Sequence, residues 1–194
     1  LVSNGFMKDA AKNAASNVSV IKEYQEKGIP IVTGCPSCAL MFKKDVPEMF
    51  PEVVYDSYKG GVMDAQEFLM SCVERGELSF KEKISGKSII YHSPCHLRAQ
   101  GIGLPSIDLI EKLTGSKVQN AQAGCCGISG SYGFKKEKYQ IGLEVGKELF
   151  DTIKSSNCEI VTTECGTCQA QIKHGTGQKA YHPVTVIRKL VENK

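Results

Sequence analysis

No stretch of the sequence approaches the ~20 consecutive apolar residues of a membrane-spanning helix, so none is expected. Basic residues form no run, and the net charge is only +3, so nothing marks a nucleic-acid surface. No nucleophile–base pair, phosphate-binding loop or paired carboxylates accompany the cysteines, which leaves the thiols as the evident reactive groups. Tryptophan is absent. Apolar residues at 41% and charged residues at 23% otherwise describe an ordinary globular protein.

What the chain does have is cysteine, nine in 194 residues. Five stand in order in the second half: Cys95, the adjacent pair Cys125-Cys126, and Cys165-Gly166-Thr167-Cys168. A structural zinc closes its shell with four ligands, so five thiols are one too many for it. Iron–sulfur assemblies contain several irons and accept thiolates readily. Adjacent cysteines project in divergent directions, which suits two irons of one cluster better than a single ion. A disulfide framework needs an oxidising compartment; nine is an odd number, no secretory leader is evident, and a chain of this length can bury a core without staples. A structural zinc built from four of the five remains an alternative.

An internal repeat organises the chain. Gly28-Ile-Pro-Ile-Val-Thr-Gly-Cys35-Pro-Ser-Cys38 reads like Cys158-Glu-Ile-Val-Thr-Thr-Glu-Cys165-Gly-Thr-Cys168, and Gly5-Phe6 reads like Gly133-Phe134. The offsets are 165 − 35 = 130 and 133 − 5 = 128. Moved back by the smaller offset, Cys125-Cys126-Gly127 falls just upstream of Leu1. The expectation is therefore a fragment, with a truncated first repeat over 1–84 that keeps Cys35 and Cys38, and a complete second repeat over 85–194.

Each repeat has an α/β rhythm. Residues 29–33, 53–55, 88–92 and 160–163 read as short strands, and residues 10–27, 106–114, 136–155 and 184–192 as helices. Alternating strands and helices predict parallel sheets flanked by helices, with sites at the carboxyl ends of the strands. Both C-x-x-C motifs and Cys95 follow a strand, so the cysteines should gather on one rim.

Around the vicinal pair stand Gly124, Gly127, Gly130 and Gly133, which permit close backbone approach and can aim N–H groups at sulfur. A helix beginning near Phe134 would turn its positive end toward an anionic group there, with Lys135 and Lys136 adding charge or simply solvating the helix start. His92 and His96 flank Cys95, where a proton relay and a plain structural role both fit. His174 reads as a surface loop residue and His182 as a helix cap. Cys72 reads as a small hydrophobe on an apolar stripe with Leu69 and Val73, and Cys158, aligned with Gly28, as no ligand.

The segments Tyr91-His-Ser-Pro-Cys95-His-Leu-Arg98, Gln122-Ala-Gly-Cys125-Cys126-Gly127 through Glu137, and His182-Pro-Val-Thr-Val186 resemble the cysteine-rich CCG domain. That domain occurs in heterodisulfide reductases and in the iron–sulfur components of glycolate, lactate and anaerobic glycerol-3-phosphate oxidation, the last being nearest in wording. The resemblance implies two CCG units and a noncubane [4Fe–4S] cluster on Cys95, Cys125, Cys126, Cys165 and Cys168, with Cys35 and Cys38 the remaining metal positions of the first motif. It further implies an electron-transfer component linking a flavoprotein dehydrogenase to membrane quinone, cytoplasmic and attached peripherally to the inner face of the membrane through partners. The alternatives are a thiol or disulfide reductase of the heterodisulfide reductase type and a structural zinc module.

Overall fold

A computed structural model describes residues 1–55, 58, 61–79 and 87–192, with the side chains of 191 and 192 left aside. It is a mixed α/β protein of two compact units, Leu1–Ala65 and Gln66–Lys194. The boundary expected between residues 84 and 85 lies outside the described residues.

In the first unit, helix α1 (Met7–Glu26) turns Ala10, Ala14, Val18 and Ile21 inward, a spacing of three to four residues that makes one stripe. Three of these pack on Val46 and Phe50. Strand β1 (Ile31–Thr33) feeds α2 (Pro36–Leu40), whose first residue is a proline, where a missing N–H costs nothing. The chain continues through a wide turn at Met41–Asp45 and α3 (Val46–Met49) to β2 (Val62–Asp64), which pairs with β1 in parallel. The strand expected at residues 53–55 is not formed. Pro51 opens a 3-10 turn over Pro51–Val53, and Val53, Val54 and Tyr55 instead pack against the cluster under α1.

The second unit begins with the body of α4 (Ala65–Glu74) and contains a four-stranded parallel sheet in the order β4-β3-β5-β6. Its strands are β3 (Ile89–Tyr91), β4 (Val118–Asn120), β5 (Ile160–Thr162) and β6 (Ala180–Tyr181). Between and after them run α5 (Cys95–Arg98), α6 (Pro105–Thr114), α7 (Tyr139–Ser156), α8 (Gly166–Thr176) and α9 (Pro183–Glu192). All of Ile89, Ile90 and Tyr91 are buried, as a central parallel strand covered on both faces requires. Side chains alternate across the sheet. Ile90 and Val161 meet Leu149, Phe150 and Ile153 of α7 and Ile172 of α8. Ile89 and Ile160 meet Leu109, Ile110 and Leu113 of α6 and Val186, Ile187 and Leu190 of α9.

The register levels the carboxyl ends of the strands: Tyr91 stands opposite both Asn120 and Thr162. Hydrogen bonds from Ala121 N to Tyr91 O (2.9 Å), His92 N to Thr162 O (3.0 Å) and Thr163 N to Tyr181 O (3.0 Å) carry the ladder one residue further. Three loops therefore leave one edge side by side.

Candidate metal centre

The three loops carry the five cysteines. Cys95 begins α5 after β3, Cys125 and Cys126 follow β4, and Cys165 is the extended residue that caps α8 after β5. Cys35 has the same local setting between β1 and α2, with φ −114° and ψ 115° against −85° and 118° at Cys165. The repeat is thus a repeat of strand, cysteine cap and helix.

In the second unit the thiols meet. Cys168 Sγ donates toward Cys126 Sγ at 3.2 Å and is also hydrogen-bonded to Cys165. Cys165 Sγ lies 2.9 Å from the Thr167 hydroxyl. The Gly127 N–H points to Cys125 Sγ at 3.3 Å, a backbone donor aimed at sulfur. Cys126, Cys165 and Cys168 are buried, Cys125 is half-buried, and Cys95 is exposed at the rim.

The electrostatics follow from this sharing of protons. The Cys168 hydrogen bond lowers Cys165 to about 5, with the Thr167 hydroxyl adding to it, and lowers Cys126 to about 7, in both cases against burial. Cys168, donor to both, is pushed up by those same bonds and holds its proton. Cys95 is raised by burial of its sulfur and by neighbouring Cys125 and Cys126. In the first unit Cys38 is raised by burial and by Cys35. Among the described residues no three His, Cys, Asp or Glu side chains are set around the position of one ion. Two sulfurs in contact, a third bonded to one of them and two more toward the rim fit a group with several metal atoms better than a single one, and Cys165 and Cys126, both lowered, are donors of the kind such a group takes.

Glycines bring the Cys125-Cys126 loop onto α7. Gly127 has φ +93°, and a side-chain carbon there would meet Gly142 O at 1.8 Å. One on Gly146 would meet Cys126 O at 2.6 Å. Gly142 and Gly146, one turn apart on α7, were not singled out in the sequence, although their G-x-x-x-G spacing was available. Arg98 and Glu148 were missed as well. The Arg98 guanidinium donates to Ala123 O (3.3 Å) and Gly124 O (3.4 Å), while the Gly124 N–H donates to Glu148 Oε2 (3.2 Å). Glu164, 3% exposed, accepts from Tyr91 OH at 2.9 Å and from the Ser106 hydroxyl. It joins the loop before Cys165 to the end of β3 and the start of α6.

Three expectations are corrected, those for the helix after the glycine loop, for His174 and for Cys72. The helix expected from Lys136 begins at Tyr139, after 3-10 turns at Tyr132–Phe134 and Lys136–Lys138, so the glycine loop leads first into these turns. His174 is on α8, not in a loop, with its ring edge-on to Tyr139 and its Nε2 bonded to the Tyr139 hydroxyl. Cys72 sits beside Arg75, whose guanidinium reaches its Sγ at 3.4 Å, while Leu69, Met70 and Val73 pack on the core. His182 accepts the Val184 N–H at 3.3 Å, which is a helix-capping contact. Cys158 contacts Gln119 at 3.8 Å just before β5, at the opposite end of the strands from the thiols. His92 is 2% exposed and its Nε2 has no hydrogen-bond partner; burial, with Arg98 nearby, lowers it to about 4.

The family model of the cysteine-rich domain CCG matches residues 1–43 and 89–173, which include all seven cysteines of the strand–helix and vicinal motifs. The chain belongs to the CCG domain family. One component of the anaerobic glycerol-3-phosphate dehydrogenase of Escherichia coli is 32% identical over 188 residues, covering 96% of this chain and 47% of that protein. A component of the CoM/CoB fumarate reductase of Methanothermobacter marburgensis is 31% identical over 160 residues, 81% of this chain and 30% of the relative. A component of the dihydromethanophenazine:CoB–CoM heterodisulfide reductase of Methanosarcina acetivorans is 26% identical over 175 residues, 86% of this chain and 40% of the relative. The chain spans about half the length of the first of these relatives and less of the others. No helix among its described residues is long and apolar enough to cross a membrane.

Proposed function

We propose that this CCG chain is an iron–sulfur electron-transfer segment in which Cys95, Cys125, Cys126, Cys165 and Cys168 hold one cluster. The observation that carries the reading is the contact of Cys168 Sγ with Cys126 Sγ at 3.2 Å, with Cys165 bonded to the same thiol. Membership of the CCG family and the dehydrogenase and reductase components among its relatives support it. When bound, an iron–sulfur cluster supplies one-electron transfer. The chain's own residues do the rest. Cys165 and Cys126 are poised as thiolates near neutral pH, the Gly127 N–H donates to a ligand sulfur, and the buried floor of Cys126, Cys165 and Cys168 keeps water from that side. Five thiols, one more than an ordinary [4Fe–4S] cluster takes, favour a noncubane [4Fe–4S] form. Cys35 and Cys38 are the corresponding positions of a second motif.

The electron donor in this reading is a flavoprotein dehydrogenase partner of the glycerol-3-phosphate type, the acceptor is on the quinone side, and attachment to the membrane is peripheral, through partners. The test is electron flow in the assembled complex. Cys126→Ser should stop electrons reaching quinone while glycerol 3-phosphate still reduces the flavin. The exposed position of Cys95 supports a second reading, in which an external sulfur compound reaches the site and a disulfide is reduced there. Reduction of a disulfide by the loaded chain with an artificial donor, at a rate matching its electron transfer, would replace the first reading with the second. A chain purified with zinc and no sulfide would replace both.

A further inference from the structure

Arg98 occupies a special position for a side chain outside the thiol set. It lies at the last position of α5, the short helix that Cys95 begins, and its two terminal nitrogens donate to the carbonyls of Ala123 and Gly124, the two residues immediately before Cys125. On its other side the Gly124 peptide is held by Glu148, which accepts its N–H. One guanidinium therefore fastens the loop of the rim cysteine to the loop of the vicinal pair. It is also a permanent cation seated between the helix that Cys95 begins and the loop that carries Cys125 and Cys126.

We propose that Arg98 is a positioning residue with two separable effects: its fork fixes the spacing between Cys95 and Cys125-Cys126, and its charge raises the reduction potential of the group these cysteines hold. The inference rests on the iron–sulfur reading above. Adding one electron to the site adds one negative charge, which a neighbouring cation stabilises, so removing the cation makes reduction harder. Lysine keeps the charge but is a point donor and cannot reproduce the fork that reaches two carbonyls. Arg98 is exposed, so its replacement leaves the core intact.

The experiment compares the parent chain with Arg98→Met and Arg98→Lys, each loaded anaerobically with iron and sulfide and checked for fold by circular dichroism; Arg98→Gln replaces Arg98→Met should the latter not fold. Redox titration followed by visible absorption gives the potential, and transfer of iron to a ferrous chelator gives the rate of cluster loss. Arg98→Met is expected to titrate at a more negative potential than the parent and to lose iron several-fold faster. Arg98→Lys is expected to stay near the parent's potential while losing iron faster. A parent-like potential in Arg98→Met, or one in Arg98→Lys displaced as far as in Arg98→Met, overturns the inference and leaves the iron–sulfur reading standing. A parent chain that takes up no iron and sulfide overturns both.

Discussion

Gly127 lies so close to Gly142 that a side-chain carbon on the first would meet the carbonyl oxygen of the second at 1.8 Å. The vicinal cysteines thus reach the floor of the site because two backbones touch. Gly127→Ala must push the loop away from α7 and adopt φ near +93°, a left-handed conformation that costs a side chain energy. It should destabilise the metal-free chain by more than about 2 kcal/mol in urea unfolding. Gly130, at φ +66° with nothing within 4 Å of an added carbon, is the control; Gly130→Ala should cost only about 1 kcal/mol.

Tyr91 and Glu164 bring the ends of β3 and β5 together through a buried hydrogen bond of 2.9 Å. Tyr91→Phe removes a donor from a carboxyl group with little access to water. A loss of about 1–3 kcal/mol is expected in the same measurement. No change on removing the hydroxyl would mean the contact does not hold these loops.

Metal-free stability should depend on pH through His92. Its ordinary value of 6.5 is lowered to about 4 by burial and by Arg98, so protonation favours the unfolded chain. The contribution is fully present above 6.5 and is lost as pH falls through 4. The melting temperature should decline over that window, and more shallowly in His92→Gln. Equal slopes would remove His92 from the account.

The thiols themselves can be titrated by their ultraviolet thiolate absorbance. The metal-free chain should show a step near about 5 that is missing in Cys165→Ser, and one near about 7 that is missing in Cys126→Ser. Neither step should be affected by Cys158→Ser, since Cys158 lies at the other end of the strands.

The thiol cluster was legible in the sequence because its signals are local. Cys95 and both C-x-x-C motifs lie within a few residues of a β-branched strand, and in a parallel sheet the strand ends bring such loops together whatever the distance in sequence; the strand before Cys125-Cys126, Val118–Asn120, has one β-branched residue and was not read. The repeat was equally plain, since Cys35 and Cys165 occupy the same cap between strand and helix. Residues acting across the fold were not legible. Glu164 finds Tyr91 and Ser106 at 73 and 58 positions away, and nothing in Thr-Glu-Cys marks it as buried. Gly142 and Gly146 read as weak points of a helix until the loop that packs on them is known. Residues 53–55 had the composition of a strand, but Pro51 set a turn and the core beneath α1 claimed their side chains.

The most direct test of the ligand set is iron and acid-labile sulfide per chain after anaerobic reconstitution, measured in the parent and in single serine variants of Cys95, Cys125, Cys126, Cys165, Cys168, Cys72 and Cys158. The account predicts iron and sulfide in equal amounts in the parent, a marked loss in each of the first five variants, and parental values for Cys72→Ser and Cys158→Ser. Parental iron and sulfide in Cys126→Ser, or their loss in Cys158→Ser, would contradict it.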